Sequence, residues 1–179
     1  EGYTAMHVAA AVIEGCSETI KLLLERGANI NQQCIKGYTA VHIAANFGRQ
    51  YAIEELLKNN ADICLSDNDG KVPRDYALEQ GHHVIAEILQ QELNKRLLSY
   101  AEEGNATEVD RLLNAGANAN YEELIENKSI ENRKIFNTSL HAAVRSGSVE
   151  TVKLLILKGA ERNTQLFGNG PTPLHYAYA

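Results

Sequence analysis

A nine-residue phrase occurs twice almost unchanged: Gly2-Tyr3-Thr4-Ala5-Met6-His7-Val8-Ala9-Ala10 and Gly37-Tyr38-Thr39-Ala40-Val41-His42-Ile43-Ala44-Ala45. Looser copies follow at Thr138-Ser139-Leu140-His141-Ala142-Ala143 and Thr172-Pro173-Leu174-His175-Tyr176-Ala177. Anchored on Thr4, Thr39, Val72, Lys95, Thr138 and Thr172, the intervals are 35, 33, 23, 43 and 34 residues. A repeat of this length is one supersecondary unit, too small to bury its own apolar face, so the copies must stack.

One copy shows the parts. Thr39 precedes an alanine-rich stretch and is placed to cap a short inner helix, Thr39 to Phe47, by accepting from its first N–H groups. Gly48 ends that helix. Ile53, Leu56 and Leu57 then fall at i, i+3 and i+4, one apolar stripe of a second helix. Asn60 stops it where other copies have glycine, because asparagine tolerates the left-handed conformation. The segment Asp62 to Lys71 is expected to form an extended hairpin turning at Asp69-Gly70. The first copy repeats this with Ile20, Leu22, Leu23, Leu24 and Gly27, plus two extra residues around Val12 and Ile13.

The phrase resembles the Thr-Pro-Leu-His-x-Ala-Ala signature of the ankyrin repeat, and the resemblance extends over essentially the whole sequence. It implies an all-α solenoid of helix–turn–helix pairs with β-hairpin loops, about five to six units. It implies a binding surface without catalysis. Val72-Pro73-Arg74-Asp75-Tyr76-Ala77 resembles the start of a closing unit. Leu97-Leu98-Ser99-Tyr100-Ala101-Glu102-Glu103-Gly104-Asn105, continuing to Val109, Leu112, Leu113 and Gly116, looks like an amino-terminal capping unit.

The irregular intervals carry the domain reading. Ten residues, a hairpin, are missing between Val72 and Lys95, and neither glycine nor proline occurs from His82 to Glu103. Two short arrays, 1–93 and 94–179, are therefore expected, joined by a continuous or kinked helix near 84–103. A tight turn at Asn94 is the alternative. The next interval gains ten residues, an insertion at 121–137. It reads either as a tolerated surface loop or as an enlarged finger on the binding face. Its Leu124, Ile125, Ile130, Ile135 and Phe136 are too apolar for an idle loop, so part of it is expected to fold back as a helical turn. Glu1-Gly2 starts within a hairpin and Tyr178-Ala179 stops within a first helix, which reads as a piece of a longer protein.

Composition excludes several classes. Hydrophobic residues make up 44% and charged residues 22%, which is not the balance of a disordered chain. A net charge of −6 argues against nucleic-acid binding, which needs a basic face. No apolar run reaches the ~20 residues needed to span a bilayer. Cys16, Cys34 and Cys64 are odd in number and lie outside any C-x-x-C, so they read as free thiols of a reducing, cytoplasmic compartment. Sixteen asparagines against three prolines suggest an AT-rich genome. A bacterial effector acting in host cytoplasm is the matching alternative.

Catalysis, cofactor and metal are not expected. His7, His42, His141 and His175 recur once per unit. Stacked helices stand about 8–10 Å apart, whereas zinc-bound imidazoles must each reach ~2.1 Å from the metal. The ankyrin resemblance makes these histidines structural, bonding across hairpin and helix start. His82 and His83 are neighbours expected to face solvent. The cysteines lack the positioned base that a nucleophile requires. The resemblance also marks Asn31, Asn120 and Asn163 as targets of asparaginyl hydroxylation. The alternative is that these side chains hold the hairpin turn by local hydrogen bonds.

The concave face of hairpin tips and inner helices should include Tyr3, Gln33, Lys36, Tyr38, Asn46, Phe47, Arg49, Asn68 and Lys71, with Arg145 and Ser146 on the second array. Exposed aromatics beside Arg49 have the composition of an interface hot spot. Tyr38 has a second reading, packing against Tyr3 of the preceding hairpin. The expected function is a non-catalytic scaffold that binds a partner protein as a monomer. The alternative is a recruitment arm of an enzyme or host-directed effector whose catalytic domain lies elsewhere.

Overall fold

The computed structural model describes residues 2–13, 15–126, 134–165 and 172–173. The chain divides into two compact units, Glu1–Gln91 and Glu92–Ala179. The fold is a helical-repeat solenoid, and its only described sheet is a two-stranded ribbon.

In the first unit, inner helices α1 (Ala5–Ala11), α3 (Ala40–Asn46) and α5 (Pro73–Glu79) pack in succession. The outer helices α2 (Cys16–Glu25) and α4 (Gln50–Lys58) pack beside one another. Alanine is what lets the inner helices approach. Ala9, Ala10, Ala40, Ala44, Ala45 and Ala77 are all buried, and the larger Met6, Val41, Ile20, Ile53 and Leu56 fill the space between the two rows. Each outer helix ends in the same way. Gly27 N–H donates to the Leu24 carbonyl and Ala28 N–H to that of Leu23, while Asn60 and Ala61 repeat this on Leu57 and Leu56. Asn60 holds a left-handed φ of 58°.

The loops between copies are fingers built by turns rather than by paired strands. Asp67 N–H donates to the Lys71 carbonyl and Gly70 N–H to that of Asp67, which closes the turn at Asp67–Gly70. Consecutive fingers are bonded to each other. Asn68 N–H donates to the Lys36 carbonyl at 3.1 Å and Asn68 Nδ2 to that of Ile35 at 2.9 Å.

Helix α6 runs unbroken from His83 to Glu102, about 30 Å at 1.5 Å per residue. Asn94, the alternative turn position, lies inside it. Ile85, Leu89, Leu93, Leu97 and Ala101 form a buried row at steps of four. Asn94 still does the work of a turn asparagine: its Oδ1 accepts from Asn118 N–H at 2.8 Å. The counterparts are Asn31, accepting from Asp62 N–H at 2.8 Å, and Asn120, accepting from Glu161 N–H at 2.7 Å.

In the second unit, α7 (Ala106–Asn114) packs on α9 (Val149–Leu157), and α9 on α8 (Ser139–Ser146). The flanks of the insertion are strands β1 (Glu122–Glu126) and β2 (Lys134–Thr138), antiparallel in the register Leu124↔Phe136 and Ile125↔Ile135. The flanks are thus extended, as suits β-branched and aromatic residues with a partner strand available, and the expected helical turn could lie only in the tip, outside the described residues. Ile130, with the tip at 127–133, and His175 lie outside the described residues.

His82 also departs from expectation. It is half-buried, and its ring carbon lies 2.7 Å from where a Cβ on Gly48 would stand. Only glycine allows that approach. Gly37 is the tightest finger position. Its φ is +84°, and a Cβ there would meet Asn68 N and Asp67 Cα at 2.8 Å. Gly37→Ala should therefore cost about 3 kcal/mol, through strain plus forced separation of two fingers. Gly70→Ala, at a φ of +80° in open space, should cost only about 1 kcal/mol. Urea unfolding of both variants distinguishes the terms, and equal losses would contradict the close-stacked fingers.

Candidate functional site

The face of the first unit is organised by two histidines. Thr39 N–H donates to His42 Nδ1 at 3.0 Å, and the Thr39 hydroxyl contacts the same nitrogen at 2.9 Å. A backbone N–H only donates, so Nδ1 must be the unprotonated acceptor. Nε2 then carries the proton and donates to the Lys71 carbonyl at 3.2 Å. His7 repeats this one copy earlier, with Thr4 N–H on Nδ1 at 3.1 Å and the Tyr38 carbonyl on Nε2 at 2.7 Å. Each imidazole thus joins its own helix start to the next finger. In the third copy Val72 has no side-chain acceptor, and Asp75 takes the histidine's place by accepting from Val72 N–H at 3.0 Å.

Over this frame lies a cluster of rings. Tyr38 stands edge-on to Tyr76 at 5.6 Å between centroids and tilted to His42 at 6.1 Å, and His42 meets Tyr76 at 5.9 Å. Such pairs contribute about 0.5–1.5 kcal/mol each beyond burial. The Tyr76 hydroxyl donates to Asp67 Oδ2 and lies 3.4 Å from the Tyr38 hydroxyl. Asp67 also accepts from Asp69 N–H and Lys71 N–H, each at 2.9 Å. Burial by itself would raise the Asp67 pKa. The donors on it, Tyr76 first, outweigh burial and hold it below the ordinary value. Burial and the Asp67 carboxylate push the Tyr76 phenol well above its ordinary range.

Tyr3, Tyr38, His42, Ile43, Asn46, Phe47 and Tyr76 line a pocket of about 140 Å³. Its rim is exposed, Tyr3 at 43% and Phe47 at 49%. Tyr38 is half-buried. Gln33 spans fingers, donating to the Gly37 carbonyl at 2.8 Å and the Ser66 carbonyl at 2.9 Å. Arg49 Nε donates to the Ala11 carbonyl at 2.7 Å, with its guanidinium 5.9 Å from the Phe47 ring centre. Lys71 pairs with Glu79 at 2.7 Å and lies 5.4 Å from the Tyr76 ring centre. Gln33, Asn68 and Arg49 therefore bond to adjacent copies, the Lys71 side chain pairs within its own copy, and Lys36 is exposed.

In the second unit Arg145 donates to Asn137 Oδ1 at 3.0 Å and pairs with Glu102 at 3.4 Å. Ser146 Oγ donates to the Ala143 carbonyl at 2.8 Å. Asn120 bonds across its unit through both amide atoms, Nδ2 reaching the Gly159 carbonyl at 3.1 Å. Asn163 is exposed. Sequence reasoning missed Tyr76 and Asp67. The available signal was a tyrosine at the position that holds Val8 and Ile43 in the earlier copies.

Cys16 and Cys34 are buried free thiols and Cys64 is half-buried. Among the described residues no group of three His, Cys, Asp or Glu side chains is placed to hold a metal ion. No helix among them is long and apolar enough to cross a membrane.

A family model, Ankyrin repeats (3 copies), matches residues 6–99 and 97–179. Rabankyrin-5 of Mus musculus is 32% identical over 176 residues, covering 91% of this chain and 14% of that protein. The ARF GTPase-activating protein GIT1 of Homo sapiens is 38% identical over 108 residues, 56% of this chain and 14% of its own length. The inactive serine/threonine-protein kinase TEX14 of Bos taurus is 35% identical over 92 residues, 50% of this chain and 6% of its own length. The chain thus spans a small fraction of each of these relatives.

Burial lowers the pKa of His42, which sets a pH dependence. Above about pH 6.5 the imidazole is neutral in folded and unfolded chains alike. Below it the unfolded chain binds the proton first, so stability declines with acid until pH passes through the folded pKa. His42→Gln should cost roughly 1–3 kcal/mol at pH 7.5, and the gap to wild type should narrow by pH 5.5. A gap that stays constant in urea unfolding at the two pH values would remove the neutral imidazole from this account.

Proposed function

Because the chain belongs to the ankyrin-repeat family, whose repeats are protein-interaction modules, we propose that the inner-helix and finger face of Glu1–Gln91 binds a partner protein. The observation that carries this reading is the pocket itself. Tyr3 and Phe47 stand half-exposed around a floor of rings whose hydroxyls and edges are already fixed by Asp67 and His42. A recess with an aromatic rim and a hydrogen-bonded floor loses little side-chain entropy on binding and suits one apolar or aromatic side chain of the partner. The Arg49 guanidinium, 5.9 Å from the Phe47 ring centre, supplies positive charge at the rim.

The amides of Asn31 and Asn120 are read here as structural hooks, since each accepts from the backbone of the next copy. The two units are read as separate arrays, 1–93 and 94–179, sharing α6. A second reading, a recruitment arm for activity elsewhere in a longer protein, is favoured by the 14% of Rabankyrin-5 that the chain spans.

The test is a partner-capture experiment comparing wild type with a Tyr3→Ala plus Phe47→Ala variant. Both side chains are substantially exposed, so thermal stability should hold while partner recovery falls roughly tenfold or more. Undiminished recovery would place the binding surface elsewhere.

A further inference from the structure

The two extra residues around Val12 and Ile13 change how the first inner helix ends. Helix α3 closes on itself, with the N–H groups of Phe47, Gly48 and Arg49 donating to the carbonyls of Ile43, Ala45 and Ala44. Helix α1 instead runs into Val12 in extended backbone, φ −77° and ψ 156°. Its Ala11 carbonyl is taken by the next copy, Arg49 Nε donating to it at 2.7 Å. One copy later the place of Arg49 is held by His82, whose ring lies against Gly48. Beside the insertion, Val12, Ile13, Gly48, Arg49 and Tyr51 line a second recess of about 170 Å³. Its apolar edge faces water, Ile13 at 69% and Tyr51 at 70% exposure.

Arg49 thus stands between two recesses, this one and the pocket edged by Tyr3 and Phe47. The bond from Nε and the Phe47 ring, 5.9 Å away, hold the guanidinium plane, so its remaining fork of Nη1 and Nη2 is pre-organised. Among the described residues that fork meets no acceptor. Arg96, Arg111 and Arg145, by contrast, each pair with a carboxylate. Carboxylates are not scarce, with 23 Asp and Glu against 17 Lys and Arg, so their supply does not explain the difference. The ligand that matches a fixed guanidinium fork is a carboxylate, which takes two parallel N–H···O bonds from it. A net charge of −6 draws in no acidic partner from a distance. Discrimination therefore rests on this short-range contact.

We infer that Arg49 reads a carboxylate: the partner presents an Asp or Glu to the Nη fork, and apolar residues flanking that acid fill the recess on either side. The inference rests on the reading that this face binds a protein, and it adds the chemistry of the segment bound. The probes are fluorescein-labelled peptide pools with a central glutamate flanked on both sides by randomised Leu, Phe, Tyr, Gly and Ser. Sister pools carry glutamine or lysine at the centre, and binding is read by fluorescence anisotropy. Wild type binds the glutamate pool roughly tenfold or more tightly than the glutamine pool. Arg49→Gln abolishes that preference, and Arg49→Lys, which keeps the charge without the fork, reduces it. Tyr3→Ala plus Phe47→Ala weakens all pools alike and leaves the preference in place. If Arg49→Gln fails to fold, the glutamate-to-glutamine ratio on wild type and on Arg49→Lys decides. Equal binding of the glutamate and glutamine pools, lost in the Tyr3 and Phe47 variant, overturns the role of Arg49 and leaves the aromatic recess standing. A full preference retained in Arg49→Gln, or the lysine pool binding best, also overturns it. A glutamate preference with affinity untouched by the Tyr3 and Phe47 substitutions overturns the recess alone, and no binding of any pool overturns both.

Discussion

A neutral imidazole bonded to the backbone on both sides is the joint on which the first unit depends. His7 and His42 are each 1% exposed. Each accepts from the N–H that opens its own helix and donates to a carbonyl of the following finger. Both partners are backbone groups, so the tautomer is dictated rather than chosen. A buried carbonyl left without its donor costs roughly 1–3 kcal/mol, and each such joint couples two consecutive copies. Asparagine makes a second kind of joint in both units. Asn31, Asn94 and Asn120 each reach the backbone of the following copy.

Coupling of this kind is local. A repeat array is stabilised by neighbour-to-neighbour terms and not by one central core, so its surfaces divide into those that face another copy and those that face solvent. The distinction sorts the side chains that looked available for binding. Gln33, Asn68 and Arg49 are polar and near the surface, yet each gives a donor to a carbonyl of an adjacent copy. Tyr3 and Phe47 surround a recess whose floor is held rigid by the Asp67–Tyr76–Tyr38 cluster.

The repeat, the helix pairs and their stop signals were legible because each is written in local chemistry: Thr before Ala-x-His, glycine or asparagine after an apolar stripe. The long helix α6 was legible from the absence of glycine and proline between His82 and Glu103. The insertion was not. Its apolar residues are compatible with helix or strand, and the choice was made by the pairing of Glu122–Glu126 with Lys134–Thr138. His82 was misread as solvent-facing because its partner, the bare backbone of Gly48, lies in the preceding copy.

The amino-acid sequence by itself determined the architecture, since a phrase repeated at 33–35 residues has few ways to bury its stripes except by stacking. It also determined the side-chain types available to the inner face. Tertiary structure alone decided which of them face outward. Burial and hydrogen-bond partnership depend on the register between copies, and Tyr38, Asp67 and Tyr76 come together only when successive fingers and inner helices are set against one another.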